Sequence, residues 1–107
     1  MPEPQETIAR RELTGVTLSG ERFAVVIEIC KPRPKGDLNK NWRCSVSVTP
    51  FLHRSFEIGG FDSLQALTLA ISLAHQQLID FIQRGGRLLY PESDDEFKLD
   101  EPFIRVP

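Results

Sequence analysis

The sequence predicts an α+β fold, a four-stranded antiparallel meander packed against one long α-helix, with a short C-terminal strand or extended tail. Three observations carry this expectation. Trp42, Cys44, Val46 and Val48 alternate with Arg43, Ser45, Ser47 and Thr49, and strict alternation buries one face of a strand while wetting the other. Apolar residues recur at three- and four-residue steps from Leu64 to Ile82, which gathers them on one side of a helix. Clusters of Gly, Pro, Asn, Asp and Ser separate these stretches, and such residues favour turns.

The first hairpin runs from Ile8 to Cys30 around Ser19-Gly20. A two-residue turn there sets Val16 opposite Phe23 and Leu18 opposite Glu21. Leu13 then falls out of phase, and a β-bulge at Thr14-Gly15 would return it to the core face. Phe23, Val25, Ile27 and Ile29 share that face. The segment from Lys31 to Asn41 contains Pro32, Pro34, Gly36 and Asp37 and reads as an exposed hairpin loop, because proline cannot donate to a ladder. Trp42 to Thr49 is the third strand, with Trp42 in the core. Arg54 to Ile58 is the fourth, with Phe56 and Ile58 inward. Aligning the apolar faces sets Ile29 opposite Cys44 and places Cys30 on the other face, which disfavours a disulfide between Cys30 and Cys44.

Asp62-Ser63-Leu64-Gln65 matches a capping box, and Gly85-Gly86 supplies a left-handed stop. Between them, Leu64, Leu67, Ile71, Ala74, Leu78, Phe81 and Ile82 form the stripe expected to cover the sheet. A helix of about 22 residues is about 33 Å long. Ala66, Leu69 and Leu73 form a second strip, expected to face away from the sheet. Either the C-terminal segment, with Leu88, Leu89, Phe97, Leu99, Phe103, Ile104 and Val106, or the same strip of a second copy should cover it. Arg87 to Tyr90 reads as a short fifth strand.

With 107 residues, 40% hydrophobic and 26% charged, the chain suits a single domain spanning residues 1–107. Residues 1–7 and 92–107 are expected as flexible or partner-covering ends. A net charge of -2 gives no general attraction to nucleic acid or anionic lipid. The N-terminus lacks a basic start and apolar run, and no stretch is apolar enough to span a bilayer, so a cytoplasmic location without membrane contact is expected. The two cysteines define no disulfide framework and no metal-ligand cluster. No metal site, cofactor or catalytic residue is assigned.

Four features remain for function. Lys31, Arg33, Lys35, Lys40 and Arg43 surround the single carboxylate of Asp37, a basic segment from 31 to 43 that edge protection explains and that nucleic-acid contact explains less well with Trp42 in the core. Glu92, Asp94, Asp95, Glu96, Asp100 and Glu101 form an acidic counterpart near the other end. His53 and His75 are the natural candidates for a general base, yet neither has an evident partner in sequence. The Gly59-Gly60 entry to the helix resembles a phosphate loop only loosely, because Asp62 would occupy the amides and repel an anion.

Trp42-Arg43-Cys44 followed by Gly60-Phe61-Asp62-Ser63-Leu64-Gln65-Ala66-Leu67 resembles a group of small bacterial domains of unknown function. These share a strand meander, a W-x-C-like strand and a G-x-D-S-L-Q-A-L helix start. The resemblance spans Ile8 to Tyr90 and implies a bacterial cytoplasmic protein without a transferable catalytic residue. The resulting expectation is a binding or interaction module without catalysis. It would hold a protein partner or a second copy through Lys31, Arg33, Lys35, Lys40, Arg43, Leu69 or Leu73. A ligand binder or enzyme using His53 or His75, and nucleic-acid contact through residues 31–43, stand as alternatives.

Overall fold

The structure is a computed structural model that describes residues 5–36 and 41–98. The elements follow in the order β1 (Thr7–Val16), β2 (Arg22–Cys30), β3 (Arg33–Pro34), β4 (Trp42–Thr49), β5 (Phe56–Gly60), α1 (Ser63–Gln83) and β6 (Arg87–Leu89). All six strands join one antiparallel sheet, with β6, β1, β2 and β4 side by side, β3 pairing β4 on the flank that β2 occupies and β5 on the other flank. The sheet curls into a half-barrel and α1 packs against it. The α+β class holds, with six strands rather than a meander of four: β6 is the expected short C-terminal strand and β3 is additional.

The additional strand, β3, falls within the stretch expected to be an exposed loop. From Ile29 to Arg33 the chain advances four residues while its partner recedes only three, from Val46 to Arg43. The line of β2 therefore resumes as β3 with one residue bulged out. Pro32, which has no N–H to donate, lies in this break. Lys40, also assigned to that loop, lies outside the described residues.

The first hairpin corrects its expected register. Gly15 pairs with Phe23 and Leu13 with Val25, so Leu13 is in phase and no bulge forms at Thr14-Gly15. The turn is longer than two residues. Thr17 N–H donates to the Glu21 carbonyl at 2.9 Å, Gly20 N–H donates to the Thr17 carbonyl at 2.9 Å, and Gly20 takes φ 93°, where glycine avoids steric cost. Gly15 has its own purpose, since a Cβ there would overlap the Phe23 ring. Between β2 and β4, Ile29 pairs with Val46 rather than Cys44. A two-residue shift leaves the faces unchanged, so Val25, Ile27, Ile29, Cys44, Val46 and Val48 are all buried. Ile58 packs on this core. Phe56, expected inward, lies on β5, an outer strand among the described residues, and is 43% exposed.

Both helix ends are stopped as the sequence indicates. Asp62 accepts from Gln65 N–H at 2.7 Å, and Gln65 Oε1 accepts from Phe61 N–H at 2.7 Å, a reciprocal cap worth about 1 kcal/mol. Gly85 at φ 94° and the bond from Gly86 N–H to the Phe81 carbonyl end it as a Schellman turn.

The helix phase differs from expectation. Ala66, Ala70, Ala74, Leu78 and Phe81 are buried, Leu67, Ile71, Leu73 and Ile82 pack along the margins, and Leu64 is 68% exposed. Of the strip expected to face outward, Ala66 is buried, Leu73 packs on the core and Leu69 alone is 43% exposed. Close approach is the cause. A Cβ on Gly60 would stand 2.6 Å from the Ala66 amide nitrogen, so a small side chain is required where the helix begins and Leu64 and Leu67 lie to the side, while Leu78 and Phe81 are buried nearer its C-terminus.

The C-terminal segment contributes differently from the cover expected of it. Leu88 and Phe97 enter the core and Leu89 is buried, with Phe97 N–H donating to the Leu88 carbonyl at 2.8 Å. The Arg11 guanidinium lies 5.3 Å from the Phe97 ring centroid. Leu99, Phe103, Ile104 and Val106 lie outside the described residues. Because β6 pairs only with Thr14 to Val16, the rest of β1 is a free edge among the described residues. Arg10 meets Glu12 at 2.8 Å and Glu28 at 3.8 Å there. At the β1–β2 turn end, Phe23, Phe51 and Phe81 close the half-barrel with ring centroids 5.0 to 5.9 Å apart.

Ala70→Leu should destabilise the domain by about 1–3 kcal/mol through overpacking, whereas Leu64→Ala should stay within about 0.5 kcal/mol of the parent. Urea unfolding of the two variants checks the helix phase, and the reverse order would refute it.

Candidate binding site

Among the described residues, the end opposite the aromatic plug is open. Trp42 begins β4 and is paired with Pro34 on one side and Gly60 on the other. Neither neighbour has a large side chain to lay over the indole, so Trp42 is half-buried rather than enclosed. This corrects its expected place in the core, although part of the ring does pack there.

Two concavities meet at Trp42 and a third lies beside its neighbours Asn41 and Arg43. One of about 430 Å³ is lined by Lys31, Pro32, Trp42, Ser63, Leu64 and Leu67. Another of about 350 Å³ shares Lys31, Pro32 and Trp42 and adds Gln5, Glu6, Arg33 and Pro34. The third, of about 270 Å³, lies between Asn41, Arg43, Gly59, Gly60, Phe61 and Gln65. Leu64 and Phe61 are the most exposed large apolar residues of this rim, at 68% and 67%. Exposed side chains of this size grouped beside concavities mark contact surfaces.

On the outer face of the same strands, alternation and pairing gather charge. Arg33 stands opposite Arg43, and Glu57 stands opposite Ser45, two residues along from Arg43. Glu57 consequently meets Lys35 Nζ at 3.3 Å, Arg33 Nη2 at 3.5 Å and Arg43 Nε at 3.8 Å. Arg43 also donates to the Trp42 carbonyl at 3.3 Å. Its guanidinium lies over Gly59, in the space a Cβ would take. Three cations share one carboxylate, and the patch stays positive. Each pair is solvent-exposed and worth at most about 1 kcal/mol to the fold.

Of the residues singled out from sequence, Arg33, Lys35 and Arg43 thus come together, and Lys31 lines the adjoining concavities. Leu69 and Leu73 line none of the three. Glu57, Phe61 and Leu64 escaped the sequence reading. Glu57 carries a signal only once the β4–β5 register is known, and Leu64 was assigned to the core by a helix phase that favours leucine over alanine.

His53 lies elsewhere, in a concavity of about 470 Å³ with Phe51, Leu52, Arg54 and Phe56. That lining holds no carboxylate to orient the imidazole and no thiol or hydroxyl for it to activate. His75 is half-buried on α1 and lines none of these concavities. Among the described residues no group of His, Cys, Asp and Glu could hold a metal ion, and no helix is long and apolar enough to cross a membrane.

The cysteines are both free, Cys44 buried and Cys30 partly so. Cys44 Sγ donates to the Cys30 carbonyl at 3.2 Å. Burial pushes the Cys44 thiol above its ordinary value of 9.0, and the neighbouring Cys30 adds to this. Below that value both folded and unfolded chains keep the proton. As pH rises past it the unfolded chain ionises first, so stability falls until the folded thiol also ionises. Urea midpoints measured across this range should decline more steeply for the parent than for Cys44→Ala, and a thiol reagent should label Cys30 first.

No curated protein and no solved structure matches the chain. A family model does, over residues 9–100, a span that takes in every element after the start of β1, including the Trp42 strand and the Asp62-capped helix start. The chain therefore belongs to the DUF6968 family, a domain of unknown function.

Proposed function

We propose that the domain is a non-catalytic binding module that seats a protein partner at the open end of the half-barrel. The observation that carries this reading is the convergence of two concavities on Trp42, one of them lined by exposed Leu64, with a third beside them lined by Arg43 and exposed Phe61. A half-buried aromatic anchor beside aliphatic side chains, with charge at the margin, has the composition of a protein-interaction hot spot. Free thiols suit a reducing compartment such as the cytoplasm. Catalysis at His53 draws no support from its lining, which lacks a second reacting group. Nucleic-acid contact is less favoured, because the indole is partly committed to the core and one such ring makes a poor stacking platform.

Affinity capture from the source cells, using parent, Leu64→Asp and His53→Ala, tests the reading. Leu64 is exposed in the first helical turn, where aspartate is well tolerated, so the variant should fold. A partner retained by the parent and by His53→Ala should be lost from Leu64→Asp, with affinity down at least about tenfold. Identical captures on all three would refute a role for this end.

A further inference from the structure

We infer that the partner presents an extended acidic segment with an apolar anchor, and that one of its carboxylates displaces Glu57 from Arg33, Lys35 and Arg43. This rests on the binding-module reading and specifies the chemistry of what is bound. Charge complementarity is the argument. Glu57 lies 3.3 to 3.8 Å from its three cationic neighbours, longer than the ~2.7–2.9 Å of a well-formed charge-assisted hydrogen bond. One carboxylate spread over three donors satisfies none of them fully. The Lys35 side chain is 61% exposed and that of Arg33 41%, so both can turn toward a second anion without leaving solvent.

Arg43 joins the charged patch to the apolar rim, because its guanidinium lies over Gly59 and lines the same concavity as Phe61. A strand-like segment alternates its side chains between two sides. Crossing the ends of β3, β4 and β5, it would set carboxylates on the cationic side and an apolar side chain against Trp42 and Leu64. A polyphosphate chain fits less well. It carries no apolar side chain to set against Trp42 and Leu64, which line the adjoining concavity.

Glu57 is then an internal competitor, and removing its charge has a sign opposite to removing a cation. The full chain is titrated with a labelled short peptide alternating glutamate with leucine, with its glutamine counterpart, and with oligothymidylate. Label anisotropy and the emission of Trp42, the single tryptophan, are followed together. The acidic peptide should bind, shift the Trp42 emission and weaken as salt rises. Glu57→Gln should tighten it about threefold to tenfold, and Lys35→Gln or Arg43→Gln should weaken it by a similar factor, with circular dichroism unchanged. Equal affinity for the glutamine peptide, no binding of either peptide, or weaker binding by Glu57→Gln would overturn the inference. Tighter binding of oligothymidylate would replace it with nucleic-acid recognition. Should the Leu64-dependent capture persist while the peptides fail to discriminate, the acidic partner falls and the module stands. Should that capture also fail, the module falls with it.

Discussion

The close seating of α1 on β4 and β5 is the constraint from which the rest of the molecule follows. Gly60 brings its backbone against the Ala66 amide, and Ala66, Ala70 and Ala74 continue the contact at four-residue steps along the helix. No leucine fits between two backbones at that separation. In the first three turns the larger side chains therefore lie at the margins, where Leu67, Ile71 and Leu73 still reach the core and Leu64 is exposed in the first turn, whereas Leu78 and Phe81 are buried further along.

That displacement makes the two ends of the half-barrel unlike. Phe23, Phe51 and Phe81 fill one end, each ring against the other two, and the glycines at 15 and 86 make room for the Phe23 and Phe81 rings. At the other end, Trp42 is flanked by a proline and a glycine, which leave the indole only partly covered. The same two flanking strands carry Arg33 and Glu57 on their outer side. The open end and the charged patch thus share a single backbone origin in the pairing of β4 with short strands on both sides.

Local signals in the sequence were strong where a single element sufficed. Alternation along Trp42 to Thr49, the Asp62 cap and the Gly85-Gly86 stop were readable, because each depends on residues a few positions apart. Features that depend on distance between elements were not. The helix face was misread because burial potential favours leucine, while the alanine ridge reflects an approach that no spacing within α1 encodes. The first hairpin was placed one residue out because Gly20 closes a longer turn than Ser19-Gly20 alone suggests. The β2–β4 register was misjudged by two residues, which period-two patterning cannot detect. Lys31, Arg33, Lys35 and Arg43 stood out by composition, but their focus on Glu57 required the pairing of β4 with β3 and β5.

The first half of β1 bears on how copies of this chain behave when crowded. Among the described residues it is an unpaired row of peptide groups, a template on which another strand can anneal, the first step toward insoluble assemblies. Here Arg10, held between Glu12 and Glu28, places hydrated ions of both signs along that row. A neighbouring chain must dehydrate them before its backbone can dock. An edge open to adventitious pairing thus carries the ions that discourage it.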